Sequence, residues 1–271
     1  MFRRLTSFTL GAVIASVGLF STIASAAAQK DGKQPSAEQI AETVVLVYGG
    51  RPRLISIQRN GIERGRITRV TDEGRTEEIS YERRFVRGET ADKDKIRLDQ
   101  KMPTMEYSLV YNGGRIFGIV NGTIFTPRQE AVADFLVHTH HNIDALLRYK
   151  ENGSTLTYVS KEKQKNIDMW VIDLVDKEKR RTRYYISAQR GRVLSLEYDE
   201  AAAAAGGKPV KYKRTFHDYT YAQGTLVPYR TVLYEDGKQA EQTSVLSVSF
   251  GLKMDETVFQ NAESTSTAEV P

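Results

Sequence analysis

Three long segments between Lys211 and Gly251 constrain the fold more than any other part of the chain. Two turns separate them, one at Ala222-Gln223-Gly224 and one at Asp236-Gly237. An Asp-Gly pair between two alternating segments is a strong hairpin signal, because both turn positions require a positive φ. By period-two alternation, the residues predicted to share the buried face of the last segment are Leu246, Val248 and Phe250. The pattern therefore predicts three consecutive antiparallel strands with one face in a core.

Helical patterns occur twice before this region. Ser36 and Gln39 have the spacing of a capping box, and apolar residues at helical spacing follow until Gly49-Gly50. A second helix is predicted over residues 127–149, with a capping box formed by Thr126 and Gln129. Its apolar stripe consists of Val132, Phe135, Leu136, Ile143, Leu146 and Leu147.

The remaining segments favour strands. Period-two alternation between residues 53 and 199, beginning with a predicted strand over 53–58, brings the total to about eleven strands. A long amphipathic helix in the middle of such a chain needs a sheet to cover it. We therefore expect a mainly β (α+β) fold in which an antiparallel sheet curls around its helices.

The N-terminus has the features of a secretory signal peptide. Arg3 and Arg4 precede an uncharged, mostly apolar run that ends at Ala24-Ser25-Ala26. A membrane anchor is the alternative, although the run is short for a span. The chain contains no cysteine, so lipidation at a cysteine and disulfide bonds are excluded. We expect an exported, soluble protein that folds around a hydrophobic core.

The composition predicts one domain and argues against a nucleic-acid partner. Without residues 1–26 the chain keeps 37 basic and 34 acidic residues, and the two signs are interspersed. The expected organisation is a signal peptide over 1–26, a linker over 27–35 and a folded domain over 36–259. Within that domain an Ala/Gly insertion loop is expected over 201–207, and the polar tail 260–271 is expected to be disordered.

A sequence of turn and strand residues in the C-terminal third resembles a known family. These residues are Phe216, Asp218, Tyr219, Gly224, Pro228, Tyr234, Asp236, Gly237, the run 245–251, Asp255 and Phe259. Their order is similar to that of LolA-like proteins, which are periplasmic carriers and relatives of the outer-membrane lipoprotein-sorting family. The resemblance implies an unclosed antiparallel half-barrel whose concave face is covered by amphipathic helices. It also implies a periplasmic carrier, and we expect a monomer that is not an enzyme and has no cofactor. Such a carrier takes acyl chains of lipoproteins or lipids from a membrane donor to an acceptor.

The alternation then suggests which side chains a ligand would contact. The predicted cavity walls are Tyr107, Leu109, Tyr111, Trp170, Ile172, Leu194 and Leu196, and the predicted lid residues are Val44, Val47, Phe135 and Leu136. The same aromatic and aliphatic residues are equally suited to filling a core. Pattern alone therefore leaves an open cavity and a filled interior as alternatives.

Two other functions remain as alternatives. One is an envelope-lipid sensing regulatory or interaction protein with the same fold. The other is a metal-dependent enzyme, because Asp134, His138 and His141 would share one helix face at metal-ligand spacing. A solvated polar helix face accounts for the same three residues without a metal. A nucleophile elbow and a phosphate-binding glycine loop are both absent from the sequence.

Overall fold

Thirteen strands form one antiparallel sheet in the computed structural model, which describes residues 34–71, 74–102, 105–201 and 208–260. The strands are β1 (Asn60–Val70), β2 (Thr76–Val86), β3 (Lys95–Lys101), β4 (Glu106–Asn112), β5 (Arg115–Val120), β6 (Thr123–Phe125), β7 (Thr155–Gln164), β8 (Ile167–Val175), β9 (Arg181–Ser187), β10 (Val193–Ala201), β11 (Pro209–Ala222), β12 (Thr225–Glu235) and β13 (Lys238–Phe250). Their order is β6-β5-β4-β3-β2-β1-β13-β12-β11-β10-β9-β8-β7. The sheet is unclosed, because β6 and β7 lie at opposite edges. This confirms the mainly β half-barrel, with thirteen strands rather than about eleven.

The helices lie at two points of the chain. They are α1 (Ala37–Val47), α2 (Arg51–Ile55), α3 (Gln129–His140) and α4 (Ile143–Leu147), with 3₁₀ turns at Ile57–Arg59, Ala91–Lys93 and Glu256–Phe259. Among the described residues, no helix is long and apolar enough to cross a membrane. The expected signal peptide 1–26 lies outside the described residues. So do residues 27–33 of the expected linker, residues 202–207 of the insertion loop and residues 261–271 of the tail.

The first helix begins as its sequence predicts. The Ser36 hydroxyl accepts a hydrogen bond from the Gln39 amide, and the Gln39 side chain accepts one from the Ser36 amide. The prediction of a strand over 53–58 is wrong, since the segment forms α2 and a 3₁₀ turn. Pro52 lies in the first turn of α2, where its fixed φ favours a helix and its missing amide hydrogen costs nothing. The local alternation of apolar residues is therefore overridden by the helix start.

The prediction of one helix over 127–149 is also wrong. Asn142 interrupts it: its side-chain oxygen accepts from the Ala145 amide at 2.8 Å and its side-chain nitrogen donates to the Thr139 carbonyl at 2.8 Å. One side chain thus ends α3 and starts α4. The N-cap of α3 is Arg128, which makes no side-chain capping bond, so the predicted cap at Thr126 is not formed.

Both predicted C-terminal hairpins are confirmed. Gln223-Gly224 and Asp236-Gly237 have positive φ at both positions, as a two-residue hairpin turn requires. The predicted inward position of Leu246 is wrong. In the pairing of β13 with β1 the register shifts between Ser247 and Val245, so Leu246 is the extra residue of a β-bulge and is 63% exposed.

The interior has two main parts, besides a small apolar cluster of Ile67, Ile79 and Tyr81. In one part α1 and α4 pack tightly against β8 to β11, and its fully buried side chains include Ile40, Val44, Leu146, Ile172, Tyr184, Ile186 and Leu196. In the other part, the buried apolar residues are Phe85, Ile96, Leu109, Tyr111, Phe135, Val227 and Phe250. These line or adjoin an open space rather than filling it.

Candidate functional site

A cavity of about 690 Å³ lies between α3, α4 and the inner face of the sheet. Side chains of β1 to β4 and of β10 to β13 both border it, which requires the sheet to curve around it. This volume is typical of small-molecule binding pockets. The space is therefore large enough for a ligand and is the strongest candidate site among the described residues.

Most of the wall is apolar. Its apolar side chains include Ile67, Phe85, Ile96, Leu98, Leu109, Phe216, Leu226, Val227, Leu233, Val245 and Phe250 on the sheet, with Phe135, Val137, Ile143 and Leu147 on the helices. No single strand supplies more than a few of them. The apolar surface thus depends on the register of the whole sheet rather than on one sequence motif.

Two glycines of β1 shape the cavity floor. A β-carbon on Gly61 would lie 2.8 Å from the ring of Phe85, and one on Gly65 would lie 2.7 Å from the ring of Tyr81. Both rings therefore lie directly over the β1 backbone, where a larger residue leaves them no room. Because the rings occupy this position, the space between them and α3 stays open.

Helix α3 covers the cavity but has few buried contacts. Of its twelve residues, all of them described, only Phe135 is buried, and its ring lies 6.5 Å from that of Tyr111. At the edge of the cavity Asp134 lies 3.5 Å from Arg69 of β1. Segments with so few buried apolar contacts open at low free-energy cost. We therefore expect α3 to be the most readily displaced part of the cavity wall.

Helix α4 is held much more firmly than α3. Arg148, which follows it directly, pairs with Asp94 at 2.8 Å and donates to the Gly88 carbonyl at 2.9 Å. Both partners of this ion pair are buried, and burial raises the pKa of Asp94 although Arg148 favours the ionised form. Arg87, the residue directly after β2, also pairs with Asp144 at 2.5 Å. The two helices that border the cavity therefore differ in how strongly they are anchored.

Polar and aromatic side chains occupy one end of the cavity. The Tyr198 ring stacks on His141 with centroids 4.0 Å apart and on Tyr212 with centroids 5.1 Å apart. Glu235, opposite Tyr212 in the next strand, also lines the cavity. We name the three cavity residues Tyr198, Tyr212 and Glu235 the aromatic-acidic end.

The structure brings some of the predicted site residues together. Tyr107 and Leu109 line the cavity on β4, and Phe135 lines it on α3. Tyr111 and Leu136 belong to the same apolar cluster without bordering the open space.

The other predicted site residues lie in the filled part of the interior or beside it. Val44, Ile172 and Leu196 are buried there, and Val47 and Trp170 pack against them. Leu194 is half-buried next to a register shift in β10.

The residues that sequence reasoning missed include Phe85, Val245, Phe250 and the aromatic-acidic end. Phe85 and Phe250 each lie in a segment with a clear strand pattern. They come together only because both residues pair with Gly61 of β1, on its two sides. The bulge at Leu246 turns Val245 inward, and alternation alone assigns it to the opposite face.

The three residues of the possible metal site are not brought together. Asp134 lies 3.4 Å from His138, but α3 ends at His140 and the His141 ring turns to the sheet. There it contacts Thr182 at 2.7 Å and Glu200 at 3.1 Å. Among the described residues, no three histidine or acidic side chains are arranged to hold a metal ion.

Comparison with known proteins identifies the fold. No family model and no curated protein matches the sequence. Solved structures do match, and three of them each cover 85% of this chain. A domain from Vibrio parahaemolyticus described as an outer membrane lipoprotein-sorting protein is 11% identical over 97% of its length, with a TM-score of 0.59. A LolA superfamily protein from Nitrosomonas europaea is 8% identical over 100% of its length, with a TM-score of 0.58. A DUF1329 family protein from Desulfovibrio piger is 9% identical over 99% of its length, with a TM-score of 0.60. The chain has a LolA-like fold.

Proposed function

We propose that this chain is an exported carrier that binds acyl chains of a lipid or lipid-modified protein in the cavity beneath α3. The main support for this proposal is the apolar cavity of about 690 Å³ on the inner face of an unclosed sheet. Similarity in fold to a LolA superfamily protein and to a lipoprotein-sorting domain supports a carrier rather than an enzyme.

Burial of hydrocarbon supplies the affinity. Each methylene transferred from water stabilises binding by about 0.8 kcal/mol, so ten methylenes contribute about 8 kcal/mol. This corresponds to a dissociation constant of about 1 µM before the cost of ordering the chain. A carrier must also release its cargo, and the single buried residue of α3 suits that helix to open.

The N-terminal pattern supports a periplasmic location. The basic residues, apolar run and Ala-Ser-Ala site of residues 1–26 are those of a cleaved export signal, and no cysteine is present for a lipid anchor. A monomeric carrier released into the periplasm would receive acyl chains at one membrane and deliver them to an acceptor at another.

Two neighbouring residues provide a matched test. Val245 lines the cavity, whereas Leu246 is exposed on the opposite side of the bulge. A tryptophan at position 245 fills part of the cavity, and a tryptophan at position 246 projects into solvent. Titration with the neutral apolar dye N-phenyl-1-naphthylamine should give similar affinities for the natural protein and Leu246→Trp. Val245→Trp should bind at least about tenfold more weakly, since about 1.4 kcal/mol of apolar contact is lost.

Thermal unfolding of both variants provides the control for folding. If the dye fails to bind the natural protein, or if folded Val245→Trp binds it as well as Leu246→Trp does, the cavity is not a binding site for apolar ligands and the proposal is wrong.

A further inference from the structure

We propose that the aromatic-acidic end of the cavity recognises a cationic nitrogen, an ammonium or guanidinium group carried by the acylated ligand. The inference rests on the proposed carrier function and adds to it the charge of the cargo. It predicts a cationic amphiphile with its charged group near Tyr198 and Glu235 and its hydrocarbon directed towards Phe85 and Phe250.

Strand register places the relevant side chains at the same end of the sheet. Tyr198 of β10 lies opposite Tyr212 of β11, and Tyr212 lies opposite Glu235 of β12. Glu241 of β13 lies opposite Arg69 of β1 and, on its other side, opposite Leu233 of β12, two residues before Glu235. The five polar side chains border the same cavity. They form a polar strip across five strands that is stepped by two residues between β12 and β13.

This strip lies far from the apolar end. Along β1, Arg69 pairs with Glu241 and Gly61 pairs with Phe250. Eight residues separate these two positions, which corresponds to about 26 Å of extended strand. One elongated amphiphile can therefore place its hydrocarbon and its charged group at different ends of the cavity.

The unpaired Tyr198 hydroxyl is the first observation that points to a polar ligand group at this end. The residue is only 2% exposed, and its hydroxyl has no hydrogen-bond partner among the described residues. Stacking on His141 and on Tyr212 fixes the ring on both faces, so the hydroxyl is held in place without a partner. Buried hydroxyls in folded proteins are nearly always bonded, which makes this one an exception to explain.

The second sign is an excess of negative charge. Four carboxylates border this end of the cavity, those of Asp134, Glu200, Glu235 and Glu241, against the two guanidinium groups of Arg69 and Arg214. The excess is local, since the whole chain has a net charge of +5. A cation is therefore attracted to this end and an anion is repelled.

The two arginines already have partners. Arg69 pairs with Glu241 at 2.8 Å and with Asp134 at 3.5 Å. Arg214 donates to the His141 carbonyl at 3.0 Å and to the His138 ring at 3.0 Å.

Glu235 differs from the other carboxylates. In the described part of the chain no lysine, arginine or histidine nitrogen lies within 4.0 Å of its carboxylate, although Lys238 is its cross-strand neighbour, whereas Asp134, Glu200 and Glu241 each have such a nitrogen nearby. Partial burial raises the pKa of Glu235, and the nearby carboxylates of Asp134 and Glu241 raise it further. A bound cation relieves this repulsion.

The combination of groups selects for a nitrogen cation. An ammonium or guanidinium donates hydrogen bonds to the Glu235 carboxylate and to the Tyr198 hydroxyl, which stays neutral because burial raises the pKa of Tyr198 to about 12. The electron-rich ring of Tyr212 adds a cation–π contact. A carboxylate or phosphate group has no comparable partners here.

The test compares three amphiphiles with the same ten-carbon chain: decylamine, decyl glucoside and decanoate. Each is titrated against the protein carrying bound N-phenyl-1-naphthylamine, and displacement gives its affinity. Decylamine should bind about tenfold more tightly than decanoate, with the neutral glucoside between them. The preference should decrease as salt is raised from 0.05 to 0.5 M, because ions screen the charges (Debye lengths of about 14 and about 4 Å).

Variants assign the preference to this end of the cavity. Tyr198→Phe and Glu235→Gln should each reduce the ratio of decylamine affinity to decyl glucoside affinity, both measured on the same variant, at least about threefold. Glu162→Gln, at an exposed glutamate of β7, is the control and should leave this ratio unchanged. Glu235 lies on the exposed rim, so its variant should fold even if Tyr198→Phe does not.

The outcomes separate the two proposals. Equal affinities for the three amphiphiles, a preference for decanoate, or a preference that survives in both variants would overturn cation recognition while the carrier proposal stands. Failure of the dye to bind the natural protein would overturn the carrier proposal itself.

Discussion

Acidification from pH 7.5 to pH 5 should destabilise the protein through His141. The ring is 1% exposed, stacks on Tyr198 and bonds to the Thr182 hydroxyl at 2.7 Å. Burial and the positive charge of Arg214 lower the pKa of His141 from 6.5 to about 3. The Glu200 carboxylate 3.1 Å away favours the imidazolium, but it is partly exposed and is outweighed by the two other effects.

The magnitude follows from proton linkage. Between pH 6.5 and pH 3 the unfolded chain binds a proton at His141 that the folded chain does not, so the free energy of unfolding falls as the pH is lowered. In this window, each decrease of one pH unit lowers the free energy of unfolding by about 1.4 kcal/mol. At pH 5 the loss relative to neutral pH is therefore about 2 kcal/mol.

Urea unfolding at pH 7.5, 6 and 5 measures this loss, with His141→Gln as the matched control. His140, whose pKa burial lowers to about 4, titrates in the same direction in both proteins, so its contribution cancels in the comparison. The natural protein should lose about 2 kcal/mol more than the variant between pH 7.5 and pH 5. Equal slopes, or a natural protein that becomes more stable at pH 5, would refute the assignment of a buried neutral imidazole.

Three further substitutions test the packing around the cavity. Gly65→Ala should lower the free energy of unfolding, measured in urea, by about 1–3 kcal/mol, because its β-carbon would clash with the Ser244 carbonyl oxygen and lie 2.7 Å from the Tyr81 ring. An unchanged midpoint would contradict these close approaches. Arg148→Met should lower the free energy of unfolding by about 3–5 kcal/mol, because it leaves the buried Asp94 carboxylate unpaired. A loss below about 1 kcal/mol would show that the pair is not buried. Phe135→Ala should accelerate amide hydrogen exchange in α3 and leave the central strands protected, whereas uniform acceleration would show that α3 does not open alone.

Local signals in the sequence predicted the elements that depend on neighbouring residues. The capping box of Ser36 and the turn at Asp236-Gly237 each involve a few adjacent positions, and both are confirmed. Asn142 shows the limit of such signals, because an asparagine in an apolar helical pattern is compatible with either a continuous helix or a new N-cap. The bulge at Leu246 depends on pairing with β1, which is almost 180 residues away in the chain.

Sequence patterns do not predict the location of the cavity, for a similar reason. Alternation marks Tyr107 and Leu109 as inward-facing in the same way as it marks Trp170 and Ile172. Whether an inward-facing residue borders a cavity or a filled core depends on what packs above it. Here α1 lies over Ile172 and fills that part, whereas the region beneath α3 stays open. That difference arises from long-range packing.

Photo-cross-linking tests the central claim most directly, since it reports where an acyl chain lies. A palmitate analogue with a diazirine near the end of its chain is bound to the natural protein, irradiated and mapped by peptide mass spectrometry. We expect adducts in α3, β4 and β13, which border the cavity. Adducts concentrated in β8 and β9, in the part of the interior filled by α1, or an absence of adducts above those of the denatured chain, would contradict a binding cavity beneath α3.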